Sequence, residues 1–112
     1  MSAIPVQKPA PDPAPETVEQ RFRRLEAAWK SDTQFLSDAH RIIAHPAFEE
    51  IISMGDVVVP LMLRDLEKGP HKWVWALPRI TGQNPVSPSD AGNIRKMGEA
   101  WVHWGRENGY RW

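Results

Sequence analysis

Histidine is the side chain best suited to acid–base chemistry or metal binding near neutral pH, because its charge changes in that range. The sequence has four histidines, and they are His40, His45, His71 and His103. No two of them have the spacing of an HExxH helix motif. His40 and His45 lie on opposite sides of a predicted proline boundary, which is a poor geometry for shared coordination. The spacing therefore predicts no metal site.

A serine nucleophile would need a histidine and a carboxylate that converge on it. Ser37, Asp38 and His40 are close in sequence, but neighbouring positions on one helix do not converge in triad geometry. The sequence also has no GxSxG turn, no phosphate-binding P-loop and no GxGxxG loop. We therefore predict a protein that is not an enzyme and has no cofactor. A small hydrolase that uses His40 or His103 is the enzymatic alternative.

A basic cluster near the start of the first predicted helix offers contacts for phosphate. It contains Arg21, Arg23, Arg24 and Lys30. The whole chain has 14 basic and 14 acidic side chains, so it has no net field that would attract nucleic acid or an anionic membrane. A nucleic-acid-binding regulator that uses this cluster is therefore an alternative, and a specific partner protein is preferred.

Six tryptophans are the unusual feature of the composition. Trp29, Trp73 and Trp101 fall on predicted apolar stripes, so we expect them in the core. Trp75 lies far from the middle of its stripe, and Trp112 lies in a tail, which makes both difficult to bury in a small domain. Exposed tryptophan is frequent at protein interfaces.

The sequence therefore predicts a partner-binding surface. The alternative is local packing of the tail over the predicted helix that covers residues 72–81. The anchors of the partner-binding surface would be Trp75, Trp104, Tyr110 and Trp112, with His71 and Arg106 on the polar rim.

Helical periodicity and capping residues predict an all-α fold of about five helices. Thr17 and Gln20 have capping-box spacing at the start of the first helix, whose apolar stripe runs to about Ala44. Ser31 and Asp32 offer an alternative cap that would divide this helix.

Proline and glycine mark the remaining helices. The predicted features are a helix beginning at His45-Pro46 and ending at Gly55, a helix capped by Asp56 with Pro60 in its first turn, a helix over 72–81 kinked by Pro78 and closed by Gly82, and a last helix capped by Ser89 or Asp90.

Residues 1–16 are rich in proline and poor in large apolar side chains, so we predict a disordered N-terminal tail. Residues 17–112 would form a single helical domain. The sequence has no run of apolar residues long enough for a membrane span and no secretory signal pattern. Because it also has no cysteine, we expect a cytoplasmic protein.

One segment, Ile52 to Ile80, resembles a single HEAT-like repeat of the kind found in phycobilin-lyase-type and related bacterial repeat proteins. The matching residues are Gly55, Val59, Pro60, Leu66, Ala76, Leu77 and Ile80. More loosely, the region from His45 to Gly105 is similar to short, uncharacterised bacterial proteins. The resemblance implies a helical hairpin at the centre of the fold. By analogy with small bacterial interaction proteins, the partner would be a toxin-like or effector protein, which makes an antitoxin-like role the expected one.

Overall fold

A computed structural model describes residues 15–112. Most of the predicted disordered tail, residues 1–14, lies outside the described residues. The described part contains six α-helices and no strand. The helices are α1 (Val18–Thr33), α2 (Ala39–Ile43), α3 (Pro46–Ser53), α4 (Val59–Lys68), α5 (Leu77–Thr81) and α6 (Ile94–Glu107). Short 3₁₀ helices cover Gly55–Val58, Lys72–Trp75 and Pro88–Asp90. The predicted all-α fold is confirmed.

The capping box predicted for α1 is present. The backbone N–H of Gln20 donates to Thr17 Oγ1 at 3.0 Å, and the Thr17 N–H donates to Gln20 Oε1 at 2.9 Å. The helix ends at Thr33, however, and not near Ala44. Asp38 caps α2 by accepting the N–H of His40, so the predicted caps at Ser31 and Asp32 are wrong.

The boundaries of α3 follow the sequence pattern. His45 caps the helix through Nδ1, which accepts the Ala47 N–H at 2.9 Å, and Pro46 lies in the first turn. Gly55 follows the helix with φ of 78°, a left-handed conformation that glycine adopts without a Cβ clash.

Asp56 does not cap α4, because Gly55–Val58 forms a 3₁₀ turn and α4 begins at Val59. The Asp56 carboxylate instead accepts the hydroxyl of Tyr110. Pro60 does lie in the first turn of α4, where its missing N–H breaks no helical hydrogen bond.

The predicted helix over 72–81 is divided into the 3₁₀ turn Lys72–Trp75 and α5. Pro78 is in the first turn of α5, so it begins a helix and does not kink one. Gly82 ends α5 with φ of 71°, as predicted. The cap of α6 is Asn93, because Ser89 and Asp90 belong to the preceding 3₁₀ turn.

Aromatic side chains from α1, α3 and the 72–75 turn form the centre of the core. The Trp73 ring lies 5.1 Å from Phe22 and 5.3 Å from Trp29, measured between centroids, and Trp29 lies 5.0 Å from Phe48. Trp29, Trp73 and Trp101 are all buried, which confirms their predicted place. Within residues 15–112, no helix combines the length and the apolar character that crossing a membrane requires.

Candidate partner-binding surface

A partly buried polar cluster joins α1 to α4 and to the start of the 72–75 turn. Arg23 donates to both carboxylate oxygens of Asp65, at 2.8 and 2.9 Å, and to Glu26 Oε1 at 2.8 Å. The Trp73 indole N–H donates to Asp65 Oδ2 at 2.9 Å. This cluster fixes the position of the chain that follows α4 relative to α1.

His71 belongs to the same cluster. Its Nδ1 accepts the Trp73 N–H at 3.2 Å, so Nε2 carries the proton and donates to Glu26 Oε2 at 3.1 Å. The imidazole also stacks on the Trp73 ring at 4.6 Å. Its side chain is only 15% exposed and links Glu26 to Trp73 by hydrogen bonds. The prediction that His71 lies on an exposed polar rim is therefore not supported by its position.

The two carboxylates of the cluster are held in their charged form. Burial by itself raises the pKa of Glu26, but hydrogen bonds from His71, Arg23 and Lys30 outweigh it and lower that pKa to about 2. Burial also raises the pKa of Asp65, but hydrogen bonds from Arg23 and Trp73 outweigh it and hold that pKa below its usual value. Both groups are therefore ionised at neutral pH.

Glu26, Asp65 and His71 bring potential metal-ligand atoms within 4.8 Å of one another. The guanidinium of Arg23 already contacts both carboxylates, and Lys30 lies 3.1 Å from Glu26. Two cations thus balance two anions, and His71 Nε2 carries a proton where a metal would need a lone pair. The arrangement fits a structural ion-pair network better than a cation site.

A cleft of about 370 Å³ opens beside this cluster, between the end of α1, the α1–α2 loop, the 70–72 segment and the start of α6. We call it the α1–α2 cleft. It is lined by Trp29, Lys30, Thr33, Gln34, Leu36, Pro70, His71, Lys72 and Ile94. The polar cluster positions two of its walls, since Glu26 and His71 join α1 to the 70–72 segment.

Phe35 is 92% exposed and is not itself part of the cleft lining. Its neighbours Gln34 and Leu36 both line the cleft. The other large apolar residues exposed in the described part of the chain are Val18 and Val57, at 44% and 56%. Phe35 is therefore a large exposed apolar side chain whose two chain neighbours belong to the cleft lining.

The predicted anchors Trp104, Tyr110 and Trp112 make contacts within the molecule. The rings of Trp104 and Tyr110 are 5.3 Å apart, and the Tyr110 hydroxyl donates to Asp56. That hydrogen bond and partial burial raise the pKa of Tyr110 to about 12. The Trp112 N–H donates to Glu67 Oε1 at 2.8 Å.

Arg106 completes this C-terminal group. Its guanidinium lies 5.4 Å from the Trp112 ring centroid and also donates to Glu67. Trp75 is half-buried against the core from the 72–75 turn, and within the described residues it takes part in none of these ring pairs. Four of the six predicted binding residues are therefore brought together, while Trp75 and His71 lie elsewhere. These contacts agree with the alternative that the tail packs locally. The tail packs on α4 and α6, however, and not on the predicted helix over 72–81.

The two alternative functions, nucleic-acid binding and hydrolysis, require the basic cluster of α1 and His40 or His103, respectively. Each basic side chain of the α1 cluster pairs with a carboxylate: Arg21 with Glu50, Arg23 with Glu26 and Asp65, Arg24 with Glu16, and Lys30 with Glu26. Little unbalanced positive charge is left there for nucleic acid. His40 and His103 are exposed on helices, and neither lines the α1–α2 cleft.

Sequence reasoning missed the polar cluster and the α1–α2 cleft. Asp65 is one of the missed residues, because its carboxylate accepts hydrogen bonds from Arg23 and Trp73 and does not lie on a solvated helix face. A signal for Phe35 did exist, since it falls off the apolar stripe of the predicted first helix.

Comparison with known proteins adds no assignment, because no family model, curated protein or solved structure matches the chain. The HEAT-like resemblance stays a prediction.

Proposed function

We propose that this protein is a non-enzymatic module that binds another protein through Phe35 and the α1–α2 cleft. The observation that carries the proposal is the 92% exposure of Phe35, whose chain neighbours Gln34 and Leu36 line the α1–α2 cleft. Full burial of a phenylalanine side chain contributes about 1.5–3 kcal/mol, which is the driving force that this ring leaves unused in the isolated chain.

The shape of the surface also favours a protein partner. Trp29 lines the cleft and is only 2% exposed, so a side chain that is packed in the core forms part of the cleft surface. Rigid, preformed pockets beside an exposed aromatic are typical of binding hot spots, because little order has to be created on association. By analogy with small bacterial interaction proteins, the partner would be a toxin-like or effector protein. The proposal places the protein in the cytoplasm, a compartment with which a cysteine-free sequence is consistent.

The C-terminal group is assigned a structural part in this proposal. Trp112, Tyr110 and Arg106 each donate a hydrogen bond to a carboxylate within the chain, so the proposal does not use them to contact a second molecule. The predicted anchors at Trp75, Trp104, Tyr110 and Trp112 therefore serve as the competing surface in the experiment.

The proposal is tested by capture of partners from native cell extract on the immobilised protein, comparing the wild type with Phe35→Ala. The matched control is Val18→Ala, which removes another exposed apolar side chain at the opposite end of α1. We expect a partner that the wild type and Val18→Ala retain and Phe35→Ala loses. With the purified partner, calorimetry should show a loss of about 2–4 kcal/mol for Phe35→Ala.

Equal binding by Phe35→Ala would contradict the proposal. If Trp112→Ala alone abolished binding while remaining folded, the interface would instead be the C-terminal group. Circular dichroism of each variant separates loss of binding from loss of fold.

A further inference from the structure

The α1–α2 cleft has an unbalanced positive charge. Within the described residues, its lining includes Lys30 and Lys72 but no aspartate or glutamate. Lys30 already lies 3.1 Å from Glu26 and shares that carboxylate with His71. Lys72 has no ion-pair partner in residues 15–112. It is the free cation of the cleft, and it stands beside apolar surface.

Phe35 is an exposed apolar side chain outside the cleft lining. A ligand that fills only the 370 Å³ cleft would leave the Phe35 ring in water, because Phe35 lies outside the lining. A stretch of polypeptide presents several side chains along its length, so one can enter the cleft while another contacts Phe35.

A second copy of the chain does not complement this surface. A two-fold contact places the same patch on both subunits, so the Lys72 of one copy, which is unpaired within residues 15–112, would face a cleft that contains the same unpaired lysine of the other. Like charges brought together in a partly apolar interface repel each other, and no carboxylate of the cleft lining is present to offset this.

We propose that the α1–α2 cleft receives an acidic segment of the partner protein, in which an aliphatic or aromatic side chain enters the cleft and an adjacent Asp or Glu pairs with Lys72. This inference rests on the proposed function and specifies its partner. Burial of the apolar anchor supplies the affinity, and the Lys72 pair selects acidic sequences and accelerates association.

The experiment is a selection of random short peptides displayed on phage against the full-length wild-type protein, and in parallel against three variants. The variants are Phe35→Ala, Lys72→Glu and the control Lys96→Glu, which makes the same charge change on an exposed lysine that does not line the cleft. Selected peptides are synthesised with a fluorescent label, and their binding is measured by fluorescence polarisation at low and high NaCl concentration.

We expect the wild type and Lys96→Glu to enrich peptides in which an apolar residue neighbours Asp or Glu. Lys72→Glu should bind these peptides about tenfold more weakly, with a weaker dependence on salt, because a rim ion pair is lost and replaced by repulsion. Lys72 and Phe35 are exposed or edge positions, and circular dichroism checks that each variant keeps its helical content.

Two results separate the inference from the function that it rests on. Enriched peptides that need Phe35 but show no acidic preference, or bind Lys72→Glu equally well, would overturn the acidic partner and leave the protein-binding surface in place. If no enriched peptide depends on Phe35, the surface itself is wrong, and with it both proposals. A dimer in light scattering that Phe35→Ala dissociates would show that a second copy is the occupant.

Discussion

Glu26 shows how one buried carboxylate organises its surroundings. Its side chain is 9% exposed and accepts hydrogen bonds or ion pairs from Arg23, Lys30 and His71. A buried charge is tolerated only when its partners are complete, and removal of the Glu26 charge leaves Lys30 without its carboxylate and Arg23 with Asp65 alone. The same interactions hold the wall of the α1–α2 cleft.

The first prediction concerns Glu26→Gln. The pKa of Glu26 is about 2 in the folded protein, against a usual value of 4.5. Because the folded pKa is the lower one, the stabilisation is complete above about pH 4.5 and is lost as the pH falls towards 2. At pH 7 we expect Glu26→Gln to lower the free energy of unfolding by about 1–3 kcal/mol. Urea titrations followed by tryptophan fluorescence from pH 7 to pH 2 measure this.

The control for this experiment is Glu50→Gln, which removes an exposed carboxylate that pairs with Arg21. Its effect should stay within about 1 kcal/mol, because exposed pairs contribute little. A difference between wild type and Glu26→Gln that is absent at pH 7, or that does not shrink in acid, would show that Glu26 is not the organising charge.

At the scale of elements, the contact between α6 and α4 depends on a residue without a side chain. A Cβ on Gly105 would stand 2.4 Å from Leu63 Cδ1 and 3.2 Å from Trp112 Cζ3. Leu63 is fully buried, so its side chain has little space into which to move. Gly105 thus permits close helix packing and provides the surface on which the Trp112 ring lies.

The second prediction is that Gly105→Ala destabilises the fold by about 1–3 kcal/mol, because overpacking costs more than the roughly 1 kcal/mol gained from alanine's helix propensity. Thermal unfolding measured by circular dichroism tests it. The penalty should remain in a Trp112→Ala background, because Leu63 is the closer contact. A Gly105→Ala variant more stable than the wild type would mean that α4 and α6 are not closely packed here.

At the scale of the whole molecule, one core unites the long helices and the 72–75 turn. Buried residues of α1, α3, α4 and α6 belong to a single apolar cluster that includes Trp29, Trp73 and Trp101. Within residues 15–112 these helices share one apolar cluster, so each depends on the others for the burial of its apolar face.

The third prediction is therefore a single cooperative unfolding transition. Helix content measured at 222 nm and tryptophan emission should give the same urea midpoint, with a free energy of unfolding of roughly 5–10 kcal/mol. Tail loosening can be separated by repeating the titration with Trp112→Ala, in which the two probes should still coincide. Two distinct midpoints in the wild type would contradict the single core.

The sequence by itself determined the local features of this protein. The capping box at Thr17, the first-turn position of Pro46, the left-handed Gly55 and the buried Trp29 all depend on near neighbours or on backbone conformation. The division of the predicted helix over 72–81 was missed because Pro78 fits a first turn as well as a kink, and the packing of the segment decides between them.

Tertiary structure decided the polar cluster, the cleft and the state of the tail. Arg23 and Asp65 are 42 positions apart, and Glu67 and Trp112 are 45 apart, so no local pattern announces either pair. The same is true of the cleft, whose lining joins Gln34 and Leu36 to residues 70–72 and to Ile94, although periodicity alone marks Phe35 as off the apolar stripe. Side chains distant in sequence meet only after the helices pack, and their burial and charge balance are properties of that packing.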